Sequence, residues 1–193
     1  MVRPREFDEQ EALDTAMQLF WEKGYEATSL TDLTSRMGIG RPSLYAAFGD
    51  KKELFAAALH KYSGTTLDNI RAKFEAIPSV KEAFRTFLDE MMERAYGDGP
   101  NCGRFCVNTI VELAPHDAQF EMVTKDFEMK LADLFQQKIE QGIRSGELAT
   151  ELDAVGIART LTVSTVGLIV MLKARPERAF VESVATVLLR LLK

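Results

Sequence analysis

Apolar residues along this chain recur at three- and four-residue intervals, and no stretch keeps the two-residue alternation of a half-buried strand. Glycine and proline fall mainly between the periodic runs, where they punctuate rather than interrupt. The pattern predicts an all-α protein of about nine helices. A first helix begins after Asp8 as N-cap, with Glu9 and Glu11 in its first turn, where the helix dipole favours negative charge. Ala12, Leu13, Ala16, Met17 and Phe20 form its apolar stripe, and Gly24 is expected as a left-handed C-terminal residue with Tyr25 folding back on the helix. Ser29-Leu30-Thr31-Asp32 then reads as a capping box with Asp in the place of Glu. It opens a short helix that turns Leu30, Leu33 and Met37 inward and stops at Gly38.

The next stretch is Gly38-Ile39-Gly40-Arg41-Pro42-Ser43-Leu44-Tyr45-Ala46-Ala47-Phe48. A tight glycine-bearing break separates the short helix from one with Pro42 in its first turn, where the missing N–H costs nothing. Ile39, Leu44 and Phe48 face the core, leaving Arg41, Ser43 and Tyr45 outside. Two short helices joined this way lay the second into a DNA major groove, or form an ordinary helical hairpin; periodicity leaves both readings open.

Residues 8–55 resemble the DNA-binding domain of the TetR/AcrR family of bacterial transcription regulators. The resemblance is carried in order by Ala16 to Phe20, Gly24-Tyr25, Thr28-Ser29-Leu30, Leu33, Gly38-Ile39, Ser43-Leu44-Tyr45, Phe48 and Lys51. Thr34 and Met37 stand where the family more often has small alanines, and Pro42 where it often has Lys or Gly. The resemblance implies that Thr28, Ser29 and Thr31 approach phosphates. Arg41, Pro42 and Ser43 would face base edges. Tyr45 and Lys51 would hold the DNA backbone, Lys51 with help from the N-terminus of the fourth helix. It further implies a helix-turn-helix domain over residues 1–50, a connecting fourth helix over about 51–75, and an effector-binding and dimerisation domain over 76–193. Repression relieved by a small molecule is the family's usual mode.

The body pattern predicts helices over 80–96, 101–114, 118–145, 154–172 and from about 177 onward. Phe84, Phe87 and Met91, with Phe105, Cys106, Asn108, Thr109 and Phe127, are candidates to line a cavity for an apolar effector; the competing reading is plain core packing. Arg104, Asn108 and Glu112 fall one turn apart and read more readily as a solvated stripe. Cys102 and Cys106, also one turn apart, are poorly placed for an intrahelical bridge, but Arg104 beside them leaves a thiol sensor open as an alternative. Thr160 to Leu172 is an uncharged run of thirteen residues, too short for the roughly 20 that a bilayer needs. The resemblance assigns the last two helices to a dimer interface, for which Leu161, Leu168, Leu172, Phe180, Val184 and Leu188 are the candidates.

Composition changes the picture little. A net charge of −5 does not advertise a nucleic-acid binder, and residues 1–52 hold seven basic and nine acidic side chains. Placement outweighs the sum, because phosphate attraction is a local field property: Arg3, Arg5, Arg36, Arg41, Lys51 and Lys52 gather near the turn and the termini. Two cysteines, and a start without an apolar core, fit a reducing cytoplasm. Neither histidine has companions at metal spacing; His60 reads as ordinary, and His116, between Pro115 and Asp117, as a helix-capping residue. No phosphate loop or nucleophile setting supports an enzyme, and no cofactor is expected. A helical homodimer that binds small molecules or proteins without reading DNA is the remaining alternative.

Overall fold

The computed structural model describes residues 7–97 and 104–193. Its helices are α1 (Glu9–Lys23), α2 (Leu30–Met37), α3 (Arg41–Phe48), α4 (Lys51–Ala76), α5 (Val80–Tyr96), α6 (Arg104–Glu112), α7 (Ala118–Ser145), α8 (Ala154–Leu172) and α9 (Arg178–Arg190). No strand occurs among the described residues. The expected helix over 101–114 instead gives way after Glu112 to a 3-10 turn, Ala114–His116, formed around Pro115. The capping expected of His116 falls to Asp117, whose carboxylate accepts the Gln119 N–H at 3.0 Å.

Local chemistry sets the early boundaries. Asp8 accepts from the N–H groups of Gln10 and Glu11 at the start of α1. Gly24 has φ +80°, but its ψ of 172° is extended rather than left-handed helical. Gly38, at φ 68° and ψ 24°, is the left-handed cap that ends α2. The box at Ser29 closes both ways, Asp32 N–H to Ser29 Oγ and Ser29 N–H to Asp32, each at 3.0 Å.

α4 is the spine. Its first turns bury Leu54, Phe55, Ala58 and Leu59 against the short helices, and its far end buries Leu67 and Phe74 in the body. A buried lysine on α7 holds that far end: Lys138 Nζ donates to the Phe74 and Ile77 carbonyls, both at 2.6 Å, and to Gln141 Oε1 at 3.2 Å. Helix C-termini leave carbonyls without intrahelical donors, and Lys138 supplies them. Two residues beyond α7, Glu147 does the converse for α5, accepting from the Val80 N–H at 2.8 Å, the Lys81 N–H at 3.1 Å and the Ser79 hydroxyl at 2.7 Å. The α4–α5 corner is thus held by a cation on its carbonyl end and an anion on its N–H end.

α8 is long and apolar enough, by length and composition, to cross a membrane. Ala158, Leu161, Thr162, Thr165, Leu168 and Leu172 are nevertheless buried on one side of it, where it packs along α7. α9 buries Val181, Ala185 and Leu188. These faces correct the expected dimer residues. Leu161, Leu168, Leu172 and Leu188 are at most 6% exposed and belong to the core of a single protomer, and Val184 is half-buried against it. Of that set only Phe180 points outward, 54% exposed, in company with Val163, Val170, Met171 and Val187. The stripe through Phe180, Val184, Val187 and Leu188 mixes two faces. Apolar residues cover much of α9, and a stripe seeded on Phe180 is rotated about 100° from one seeded on Val181.

Replacing Lys138 by Met keeps the stem's bulk and removes the donors. Two buried carbonyls then lose their partner, which should lower stability by about 1–3 kcal/mol. Urea unfolding of variant and parent measures the difference, and an unchanged midpoint would mean the carbonyls find water.

Candidate nucleic-acid interface

α2 and α3 meet across the Gly38–Gly40 break, with Leu33 and Leu44 fully buried beneath them. Thr31, Arg41, Pro42, Ser43 and Tyr45 are all exposed, Tyr45 by 48%. Arg41 opens α3 and reaches back to α2, donating from Nη2 to Thr31 Oγ1 at 2.9 Å. Tyr45 stands one turn further along α3. Lys51, at the start of α4, lies over the Tyr25 ring at 4.3 Å from its centroid, which fixes the ammonium without neutralising it.

Three expected contacts are altered. Thr28 is fully buried and its hydroxyl donates to the Gly24 carbonyl at 2.6 Å, so its side chain closes the α1–α2 corner and does not meet phosphate. Ser29 is exposed, yet its hydroxyl proton goes to Asp32 at 2.7 Å and its oxygen accepts the Asp32 N–H. The N-terminus of α4 is not an open anion site: Asp50 accepts the Glu53 N–H and Glu53 accepts the Asp50 N–H, each at 2.9 Å. Two carboxylates therefore already sit at the positive end of that helix dipole.

Charge around the turn is unevenly spent. Lys23 pairs with Asp32 at 3.1 Å and Arg36 with Glu22 at 3.5 Å. Lys52 turns away from α3 to bind Asp117 at 2.6 Å, which raises the lysine and lowers the carboxyl from their ordinary ranges. That pair joins the start of α4 to the start of α7. A sequence reading had no means of finding it, because the partners lie 65 positions apart in unrelated segments. Arg3 and Arg5 lie outside the described residues.

The effector candidates divide between two ring clusters. Phe84 and Phe87 pack on Phe135, with centroids 5.2 and 5.3 Å away, and on Phe74. Phe105 packs on Phe55 at 5.0 Å and Tyr62 at 5.4 Å. Phe127 is buried in the same continuous core. Met91 is half-buried against the core, the neighbouring Met92 taking the buried position. Thr109 is buried and spends its hydroxyl on the Phe105 carbonyl at 2.9 Å. Asn108 keeps a buried Oδ1 without a hydrogen-bond partner. An opening of about 340 Å³ lies elsewhere, between Glu128, Met129 and Ala132 of α7 and Arg159, Thr162, Val163 and Val166 of α8.

Cys106 is buried, shares a hydrogen bond with Ser63 Oγ at 3.1 Å, and has its thiol pushed up to about 12 by burial. Burial favours the protonated thiol at this position, the opposite of an activated thiolate. Cys102 lies outside the described residues.

The sequence family described as "Bacterial regulatory proteins, tetR family" matches residues 12–58. The HTH-type transcriptional regulator YezE of Bacillus subtilis is 34% identical over 169 residues, covering 87% of each chain. The chain belongs to the TetR family. A second relative, the HTH-type transcriptional repressor ComR of Escherichia coli, is 34% identical over 164 residues, covering 82% of this chain and 76% of ComR. Among solved structures, a cysteine variant of the TetR-family regulator CifR, complexed with a 26-bp operator DNA, superposes with a TM-score of 0.84. It is 34% identical, and the match covers 99% of this chain and 100% of that one. The protein is accordingly a TetR-family transcription regulator, with the family's all-helical fold.

The capping box gives α2 a pH dependence. Hydrogen bonds from Ser29, then from Lys23, hold the Asp32 carboxyl at about 2, below its ordinary value near 3.8. A carboxyl depressed by folding stabilises the fold above its unfolded pKa, and that contribution disappears as pH falls toward the folded one. The stability gap between parent and Asp32→Asn should therefore be full at pH 5 and close between about pH 4 and 2. Urea midpoints at stepped pH measure it; a gap independent of pH would separate the carboxylate from the stability of α2.

Proposed function

We propose that this protein is a homodimeric repressor that reads a pseudo-palindromic double-stranded DNA operator and releases it when a small apolar molecule enters its body. Residues 1–50 form the reading domain, α4 connects, and 76–193 form the effector and dimerisation domain. The observation that carries the reading is the exposed face at the start of α3, where Arg41, Pro42, Ser43 and Tyr45 project from a helix seated on buried Leu44. The operator complex of CifR, alike in fold over nearly the whole chain, supports it. Arg41, Pro42 and Ser43 face base edges; Tyr45 and Lys51 serve the DNA backbone. The protein is cytoplasmic and not an enzyme.

Purified protein should select one palindromic sequence from a random duplex pool, with affinity falling steeply as salt rises. Tyr45→Phe and Lys51→Ala should weaken binding to every sequence, whereas Arg41→Ala should relax preference at one or two symmetric positions. Sequence-blind binding that ignores salt would refute the reading.

The dimer pairs through the outward faces of α8 and α9, around Val163, Val170, Phe180 and Val187. Such a patch is too apolar to be left to water. Val187→Glu should yield a monomer that melts as a folded protein, because the protomer core is untouched. Leu188→Ala should keep the dimer and lose about 2–5 kcal/mol of stability. Light scattering beside thermal unfolding separates the two, and a dimer that survives Val187→Glu would place the interface elsewhere.

Among the effector candidates, Asn108 has the clearest support. A buried carbonyl oxygen without a donor is costly, and a ligand N–H or O–H would satisfy it. The apolar surroundings on α6 are Phe105 and Cys106.

A further inference from the structure

We infer that Thr31 is a specificity-determining positioning residue: it orients the Arg41 guanidinium for base reading across the α2–α3 turn. This rests on the DNA-reading function proposed above. The family resemblance gives Thr31 a phosphate; in the structure its hydroxyl oxygen accepts from Arg41 Nη2 at 2.9 Å. The two residues stand at the starts of different helices, ten positions apart, so the bond spans the turn itself.

A long arginine at the first position of a recognition helix has many rotamers, and only a few present its planar fork to a guanine edge. Thr31 takes one of the five N–H donors, leaving the others for O6 and N7. The chemistry of the holder matters as much as its position. A carboxylate partner would cancel the charge and compete with the base, as Glu22 does at Arg36 and Asp32 at Lys23. A hydroxyl directs the guanidinium and leaves its charge intact. Among the described residues, Thr31 is the one hydrogen-bond partner of Arg41, and no acid pairs with it. Thr31 is also held firmly. It is the second residue of α2, inside the Ser29–Asp32 box, and its neighbour Leu33 is fully buried.

The test uses full-length protein and the duplex that the parent selects from a random pool, with single-base variants of it. Thr31→Val should lose roughly fivefold or more of the base preference at the positions relaxed by Arg41→Ala, while discrimination elsewhere in the half-site is unchanged. The double variant should be no less selective than Arg41→Ala alone, because the threonine acts only through the arginine. Thr31→Ser, which keeps the oxygen, should restore the preference. Loss of fold would weaken binding to all duplexes alike, so base preference is a readout that a merely structural role does not move. If Thr31→Val weakens every duplex equally and adds fully to Arg41→Ala, Thr31 is a phosphate contact and the positioning role is overturned, with DNA reading intact. If the parent selects no sequence at all, the DNA-reading function fails, and the role of Thr31 fails with it.

Discussion

The ring of Phe55 meets four others edge-on: Phe20 of α1 and Tyr25 behind it, each with centroids 4.9 Å away, Phe105 of α6 at 5.0 Å and Phe120 of α7 at 5.1 Å. The helix-turn-helix and the body meet around this side chain, with Tyr25 also touching Phe120 directly, centroids 5.8 Å apart, and α1 packing on α6. Edge-to-face pairs favour particular angles as well as contact, so the cluster constrains orientation in addition to burying area. The Lys52–Asp117 pair beside it is partly exposed and adds little energy of its own. It joins the start of α4 to the start of α7.

Local signals account for how much of the fold was legible beforehand. Asp8, the Ser29–Asp32 box, Gly38 and Pro42 mark ends of helices by chemistry confined to a few residues, and α7 and α8 end where the pattern indicated. Gly24 was read correctly for the sign of φ and incorrectly for ψ, because positive φ serves more than one turn. What resisted reading was tertiary placement: Lys52 reaches Asp117 and Lys138 reaches the Phe74 and Ile77 carbonyls, and burial of a single polar residue is no easier to read. Thr28 is polar and sits in a segment that reads as surface, yet it is fully buried because Gly24 leaves a carbonyl facing it. The α8 and α9 faces resisted for another reason. Both helices are apolar on more than one side, so periodicity names the residues without saying which side is core.

The same distinction governs the candidate sites. Arg41, Pro42, Ser43 and Tyr45 were legible as outward-facing because α3 is short and its inner face is marked by Leu44. The effector set was assembled by residue type across three helices, and type does not say which rings meet. The structure places Phe84 and Phe87 with Phe74 and Phe135, and Phe105 with Phe55 and Tyr62. The overall charge likewise proved a poor guide to nucleic-acid binding. Lys23, Arg36 and Lys52 are spent on acids, while Arg41 and Lys51 are held by a hydroxyl and a ring that leave their charge in place.

The position of Phe55, one turn into an unbroken helix, also limits how reading heads can be exchanged between relatives. A graft that ends at Asp50 would carry Phe20 and Tyr25 from the donor and leave Phe55, Phe105 and Phe120 with the host, dividing one cluster between two lineages. A graft extended through Tyr62 would keep Phe55 with its own α1 rings and would then ask only that the host supply rings at 105 and 120. For a chimeric regulator built on this body, the natural seam therefore lies inside α4 rather than in the turn that precedes it.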